Sequence, residues 1–302
     1  MTRIASSYQY DSYTASLQDT QLRLRESFDR ISTGKRIETI SSDPEIADTI
    51  LSNRALRAHL ETSKHNIQVG KQVLGASGEE LTRVNELLLS AKQKAIQGAT
   101  STLDQSARNQ LANEVELFQK RFVEIANTRG IDSQYLFAGT ATDPSQDPTP
   151  YTVVSNTLVY NGNSRDRIVE VGPNDYRAVN VHLSSTFTQI YGYLESLKNN
   201  LRSGNISLIG GTDLQNIDEA LTTINQQRGQ IGFRLQELNA LASDNDRRTF
   251  ELTKNITENQ DVDLAAESER FYRLRQGLLA ISSSIHSMMT TQSELMSFIT
   301  RF

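Results

Sequence analysis

His59, His65, His182 and His286 are the side chains best suited to hold a metal ion or shuttle protons, but they are scattered along the chain. With no cysteine to complete a tetrahedral set, they read as surface or interface histidines. Ser32-Thr33-Gly34-Lys35 has the outline of a phosphate loop. Its upstream glycine is missing, however, and Arg36 follows the lysine where Ser or Thr is needed. Gly34 reads instead as the left-handed residue that ends a helix. The carboxylates sit on charged helix faces, and no pair has surroundings that would separate an acid from a base. The sequons Asn205-Ile206-Ser207 and Asn255-Ile256-Thr257 match a pattern of low specificity. The absence of cysteine excludes disulfides, thiolate nucleophiles and sulfur-ligated metals. These residues imply no catalytic, cofactor or metal site, and so no enzyme.

The elements around them imply a different use. A length of 302 residues suggests two domains or one very elongated one. Hydrophobic residues make up 37% and aromatic residues 7%, with no Trp. That is lean for one compact globule and suits helices that expose most of their circumference. A net charge of −5 argues against nucleic acid as a partner. Arg23, Arg25, Arg30, Lys35 and Arg36 cluster near the start, but Glu26 and Asp29 interrupt them, as on a solvated helix face. No apolar run reaches the roughly 18 residues that membrane insertion needs. Residues 1–19 are polar, without the apolar core of a secretory signal. A cytosolic resident and a protein exported without such a signal both fit.

Helical periodicity dominates both ends. Tyr10, Leu17, Leu24 and Ile31 recur every seven residues, with Phe28 on the same face, and Thr33-Gly34 stops the helix. A new helix starts at Ser42-Asp43-Pro44-Glu45. Either Asp43 caps it with Pro44 in the first position, or Ser42 caps it and Glu45 closes a capping box. Ile46, Leu60, Ile67, Leu74, Leu81 and Leu88 then keep the spacing toward Gln97, with a bend plausible at Gly70, Gly75 and Gly78. Another helix spans about Leu103 to Asn127. Four of the five prolines fall between residues 130 and 185. So do strand-like runs at Tyr151–Val154, Leu158–Tyr160, Arg167–Val171 and Tyr176–His182, with turns expected at Asn161-Gly162 and Gly172–Asp175. Helix returns from about Ser185 to Leu201 and again through Ile217, Leu221, Ile224, Ile231, Leu235 and Leu238. Thr257–Asp263 reads as a hinge or a fresh N-terminus. In the last helix Phe271, Leu274, Leu278, Ile281, Ile285, Met288, Gln292, Leu295, Ile299 and Phe302 step by three and four residues, a heptad seam broken only by Gln292.

The expected fold is mainly α: an elongated antiparallel helical bundle or coiled coil formed by both chain ends, with a small antiparallel β insert in the middle. Residues 1–40 and 262–302 would form a terminal coiled-coil domain, and 41–140 with 186–261 a helical rod. Residues 141–185 would form a separate β-rich lobe that tolerates replacement by a linker. The C-terminal seam is too small to offset the ordering of roughly 35 residues, and the N-terminal stripe is short and interrupted by Gln21. Both ends are therefore expected to be disordered in the free chain and to fold on neighbouring subunits in a homo-oligomer. Leu17, Leu24, Phe28, Ile31, Phe271, Leu274, Leu278, Ile281, Ile285, Met288, Leu295 and Ile299 are the expected interface, with Gly34, Asp43 and Pro44 at the helix junction.

Ile31-Ser32-Thr33-Gly34-Lys35-Arg36-Ile37 with Ser42-Asp43-Pro44 resembles the N-terminal signature of the bacterial flagellin family. Asp261-Val262-Asp263-Leu264-Ala265-Ala266-Glu267 and Leu295-Met296-Ser297-Phe298-Ile299 resemble the C-terminal one. Glu45-Ile46-Ala47 after Pro44, and Tyr135-Leu136-Phe137-Ala138-Gly139-Thr140, are more similar to the subunit joining hook to filament than to bulk flagellin. The resemblance covers roughly residues 1–140 and 186–302. It implies export as an unfolded chain and assembly at the hook–filament junction, in a helical array. The implied neighbours are a first hook-associated junction protein and flagellin, with a cytoplasmic export chaperone holding the C-terminal helix beforehand. Bulk filament flagellin, or an unrelated secreted coiled-coil protein, are the alternatives.

Overall fold

Three helices, α1 (Thr2–Thr33), α2 (Pro44–Gly98) and α3 (Gln105–Ala126), precede four short strands. These are β1 (Tyr151–Val154), β2 (Thr157–Tyr160), β3 (Ile168–Gly172) and β4 (Asp175–Ala178). Helix α4 (Ser184–Ser203), the single turn α5 (Ile206–Leu208) and a π-helical segment (Ile209–Asp213) lead into α6 (Leu214–Gln260) and α7 (Leu264–Ile299). The computed structural model describes residues 2–37, 43–130, 133–143, 145 and 149–299, with backbone alone at residues 2–9, 292, 295, 296, 298 and 299. The architecture is mainly α with a small antiparallel β insert, as the periodicity implies. The chain divides into two compact units, Ala58–Thr249 and a second made of Met1–Arg57 with Phe250–Phe302.

The unit Ala58–Thr249 has one apolar core. The heptad positions Leu60, Ile67, Leu74, Leu81 and Leu88 of α2 are buried, as are Val115 and Phe122 of α3, Phe187 and Leu194 of α4, and Ile217, Ile224 and Ile231 of α6. Helix α2 runs unbroken through Gly70, Gly75 and Gly78. At Gly70 a Cβ would lie 2.7 Å from Val179 Cγ1, which makes this glycine the place where the insert meets the helix. The π-helical turn, which no sequence pattern announced, ends at buried Asp213. Its carboxylate accepts hydrogen bonds of 2.7 Å from both Ser196 Oγ and Asn200 Nδ2.

The β insert forms two separate antiparallel hairpins, β1–β2 and β3–β4. The first turn lies at Ser155-Asn156, both at positive φ (50° and 60°), while Asn161-Gly162 follows β2. Two adjacent left-handed residues match the twist of a two-residue hairpin, and Asn tolerates that conformation well. Tyr151 and Leu158 from the first hairpin, and Val171 with neighbouring Val179, belong to the same buried cluster as the helices. The Phe187 ring packs edge-on against Phe122 and Phe137 at 5.2 Å, with the Tyr151 ring at 5.5 Å. Burial pushes the Tyr151 hydroxyl well above its ordinary pKa. Residues 141–185 thus contribute to the helices' own core, with Tyr151 against Phe187. Beyond the sheet, the Asn127 side chain accepts a hydrogen bond from Tyr151 N (2.9 Å) and donates one to Tyr151 O (2.8 Å).

Candidate assembly interface

In the unit of the chain ends, α1 and α7 lie antiparallel against each other. The expected seam residues on them are Leu17, Leu24 and Ile31 of α1 and Phe271, Leu274, Leu278, Ile281, Ile285 and Met288 of α7. All nine of these side chains are only half-buried. Between residues 10–33 and 264–291, the side chains that reach full burial are Ser27 and Glu267, both polar. Ser27 Oγ donates a long hydrogen bond of 3.5 Å to the Glu267 carbonyl. The reason is local. Alternate positions of the α1 seam are the small hydroxyl residues Thr20 and Ser27, which leave the larger α7 side chains without matching apolar partners.

Phe28 is placed differently from its expected role. Its ring sits 6.4 Å from that of Phe271 yet is 57% exposed, at the rim of the seam and not within it. Tyr10, which opens the seven-residue count, is exposed, as are Leu22, Tyr272, Leu279 and Met289, which the count passed over. The side chains of Leu295 and Ile299 lie outside the described residues.

The pair is fastened at its closed end. Gly34 takes φ +68° and turns the chain out of α1. Lys35 and Asp261 then form an antiparallel bridge, with Arg36 N donating to Gln260 O (2.7 Å) and Val262 N donating to Gly34 O (3.0 Å). Arg36 Nη2 donates to Asn259 O at 2.9 Å, and Arg54 Nη2 of α2 donates to Gln260 Oε1 at 2.6 Å. The last carbonyls of a helix have no partner within it, and the negative end of its dipole favours cations. The loop after α1 supplies both needs for α6. Ile37, Ala47, Ile50 and Ile256 form a small buried apolar set in this unit. Helix α7 restarts on Asp263, whose Oδ1 accepts from the Ala265 and Ala266 amides. Asp43 is the cap of α2, accepting from Ile46 N at 3.2 Å, with Pro44 in the first helical position. The alternative cap, Ser42, lies outside the described residues.

Sequence reasoning did not find Gln260, Arg54, Ser27 or Glu267. No local signal could join Arg54 to Gln260, which are 206 positions apart.

The histidines make no centre. His59 Nε2 lies 3.4 Å from a Glu170 carboxylate oxygen on β3, and His182 Nε2 lies 2.8 Å from Asp166 Oδ1 just before that strand. Among the described residues, no group of three or more His, Asp or Glu side chains could hold a metal, and no helix is long and apolar enough to cross a membrane. What the chain ends offer chemically is half-buried apolar surface along two paired helices.

Residues 4–142 match the family described as the bacterial flagellin N-terminal helical region. The chain is 22% identical to flagellar hook-associated protein 3 of Escherichia coli, over 92% of this chain and 94% of that one. Two solved structures share the fold. One is FlgL of Bacillus cereus, 17% identical with a TM-score of 0.58, covering 68% of this chain and 99% of that one. The other is the flagellar junction protein FlgL of Legionella pneumophila, 15% identical with a TM-score of 0.55, covering 70% and 100%.

Proposed function

We propose that this chain belongs to the bacterial flagellin family and is a structural subunit of the flagellum, not an enzyme, that joins hook to filament. The observation that carries this reading is the unfinished α1–α7 pair, whose large apolar side chains stay half-exposed while the fully buried ones are Ser27 and Glu267. Such a face gains stability when further apolar surface covers it. Similarity to hook-associated protein 3 along nearly the whole chain supports the junction over the bulk filament.

The cover is supplied by other copies of this chain in a helical array, with the first hook-associated junction protein on one side and flagellin on the other. The chain travels out unfolded, and a cytoplasmic chaperone shields the apolar C-terminal helix beforehand. Folding of the ends and assembly then form one coupled step, because the partner surface provides what the pair alone lacks.

Since the chain has no cysteine, a single Ser101→Cys label on the exposed turn after α2 reports its place in intact flagella. A single band at the hook end is the expected result. Staining along the whole filament would sink the junction reading and assign the chain to bulk flagellin.

A further inference from the structure

We infer that Gln260 is the positioning residue that anchors the terminal helix pair, and that its clasp marks where order stops in the unassembled chain. Gln260 is the last residue of α6 and only 8% exposed, so its polar atoms need partners within the protein. Both of its acceptors are used, and by different segments. The carbonyl takes Arg36 N from the loop after α1, and the side-chain oxygen takes a guanidinium N–H of Arg54 on α2. One side chain therefore ties α2 to the end of α6 while its own backbone holds the exit of α1. The next residue, Asp261, continues the same bridge through Lys35, and Val262 N closes it on Gly34 O.

The Arg54 bond is charge-assisted, the stronger class of hydrogen bond, and it fixes the Gln260 side chain. Distal to the clasp, the large apolar side chains of the α1–α7 seam are only half-buried; proximal to it, Ile37, Ala47, Ile50 and Ile256 are buried. Local stability follows burial and protected hydrogen bonds, so the clasp is where protection begins. Its importance for flagellar assembly rests on the function proposed above, whereas its geometry does not.

Amide exchange in the free full-length chain tests the idea at Arg36 and Val262, with the Phe122 amide in the other unit as the folding control. Gln260→Ala and Arg54→Met should each speed exchange at both amides by about tenfold, the loss of one net hydrogen bond to a charged group. Gln260→Glu should restore slow exchange, because the carboxylate pairs with Arg54. Gln260→Glu combined with Arg54→Met should be faster than either single change, leaving a buried carboxylate without its cation. Limited proteolysis should cut the parent chain up to Gly34 and the Gln260→Ala variant into the start of α2. Unchanged exchange in Gln260→Ala, or Gln260→Glu no slower than Gln260→Ala, would overturn the proposal. If Gln260→Ala also speeds exchange at Phe122, the exposed Arg54 position decides: Arg54→Met must act on Arg36 and Val262 alone. These rates are read on the free chain, so they stand or fall separately from the hook-end label.

Discussion

Leu60, Ile67, Leu74, Leu81 and Leu88 recur every seven residues on α2, and none is more than 1% exposed. Leu17, Leu24 and Ile31 recur at the same interval on α1, and each stays half-exposed. The repeat is the same, but the surroundings differ. The α2 residues from Ile67 onward share one buried cluster with α3, α4, α6 and two hairpins, while α1 has α7 alone and presents Thr20 and Ser27 between its larger residues. A heptad pattern thus states which face of a helix wants cover. It does not state how much of that cover the same chain supplies.

The largest expected effect tests the closed side of this comparison. Replacing residues 141–185 by a Gly/Ser linker should leave Phe187 and Phe122 uncovered, and the protein should lose its cooperative unfolding transition and become insoluble. A soluble, cooperatively folded variant would show that the hairpins only decorate the helices. Next, Phe187→Ala should cost about 3–5 kcal/mol in denaturant unfolding, as for a large ring lost from a packed core. Its counterpart, Ile285→Asp, should leave that transition within about 0.5 kcal/mol while abolishing filament attachment. If Ile285→Asp instead destabilised residues 58–249, the distinction between the two regions would collapse. Smaller again, Gly34→Val forces a β-branched residue to φ +68°, costing about 1–2 kcal/mol or more. Thr33→Ala loses an exposed hydroxyl bond to Asp29 O and a long one of 3.4 Å from Lys35 N, and should cost less. Motility and filament attachment should fall in the first variant and hold in the second.

The smallest effect concerns Glu80, on α2 within the core. Desolvation by burial raises its pKa, against the nearby Arg83, and its Oε2 has no hydrogen-bond partner. For an acid whose folded pKa is raised, the folded state holds the proton more tightly, so stability falls as pH rises from its ordinary value through the raised one. Glu80→Met should therefore stabilise the protein by about 1 kcal/mol at neutral pH. The gain should shrink in acid, and thermal unfolding across that range measures it. A gain independent of pH would assign the effect to packing alone.

Much of this was legible from residues that act locally. Asp43-Pro44 announced a helix start, Gly34 its stop, and the steps from Phe271 to Met288 the buried side of α7. The turn at Ser155-Asn156 went unnamed because Ser-Asn is a weaker local signal than Asn-Gly, and only the register of the paired strands reveals it. The insert looked separable because prolines cluster there, but burial of Tyr151 and Leu158 depends on rings from distant helices. The Gln260 clasp was invisible for the same reason: its donors come from α2 and the loop after α1, far away in sequence. Phe28 was assigned to the seam by its type, yet Ser27 occupies the buried position beside it.

The Asn127 amide beside Tyr151 bears on a hazard particular to crowded, self-associating chains. The outer border of each strand in a two-stranded ribbon carries unpaired amides and carbonyls, and that of β1 is a template that can recruit a strand from another molecule. By offering one donor and one acceptor at 2.8–2.9 Å, Asn127 imitates the adjoining strand and plugs that border where the ribbon is buried. Farther along β1, Val153 and Val154 are exposed. In the assembly proposed above, which runs through helices, this plug keeps the β1 border from recruiting strands. Asn127→Ala should reveal this as sheet-rich aggregates that bind amyloid dyes while its helices remain intact.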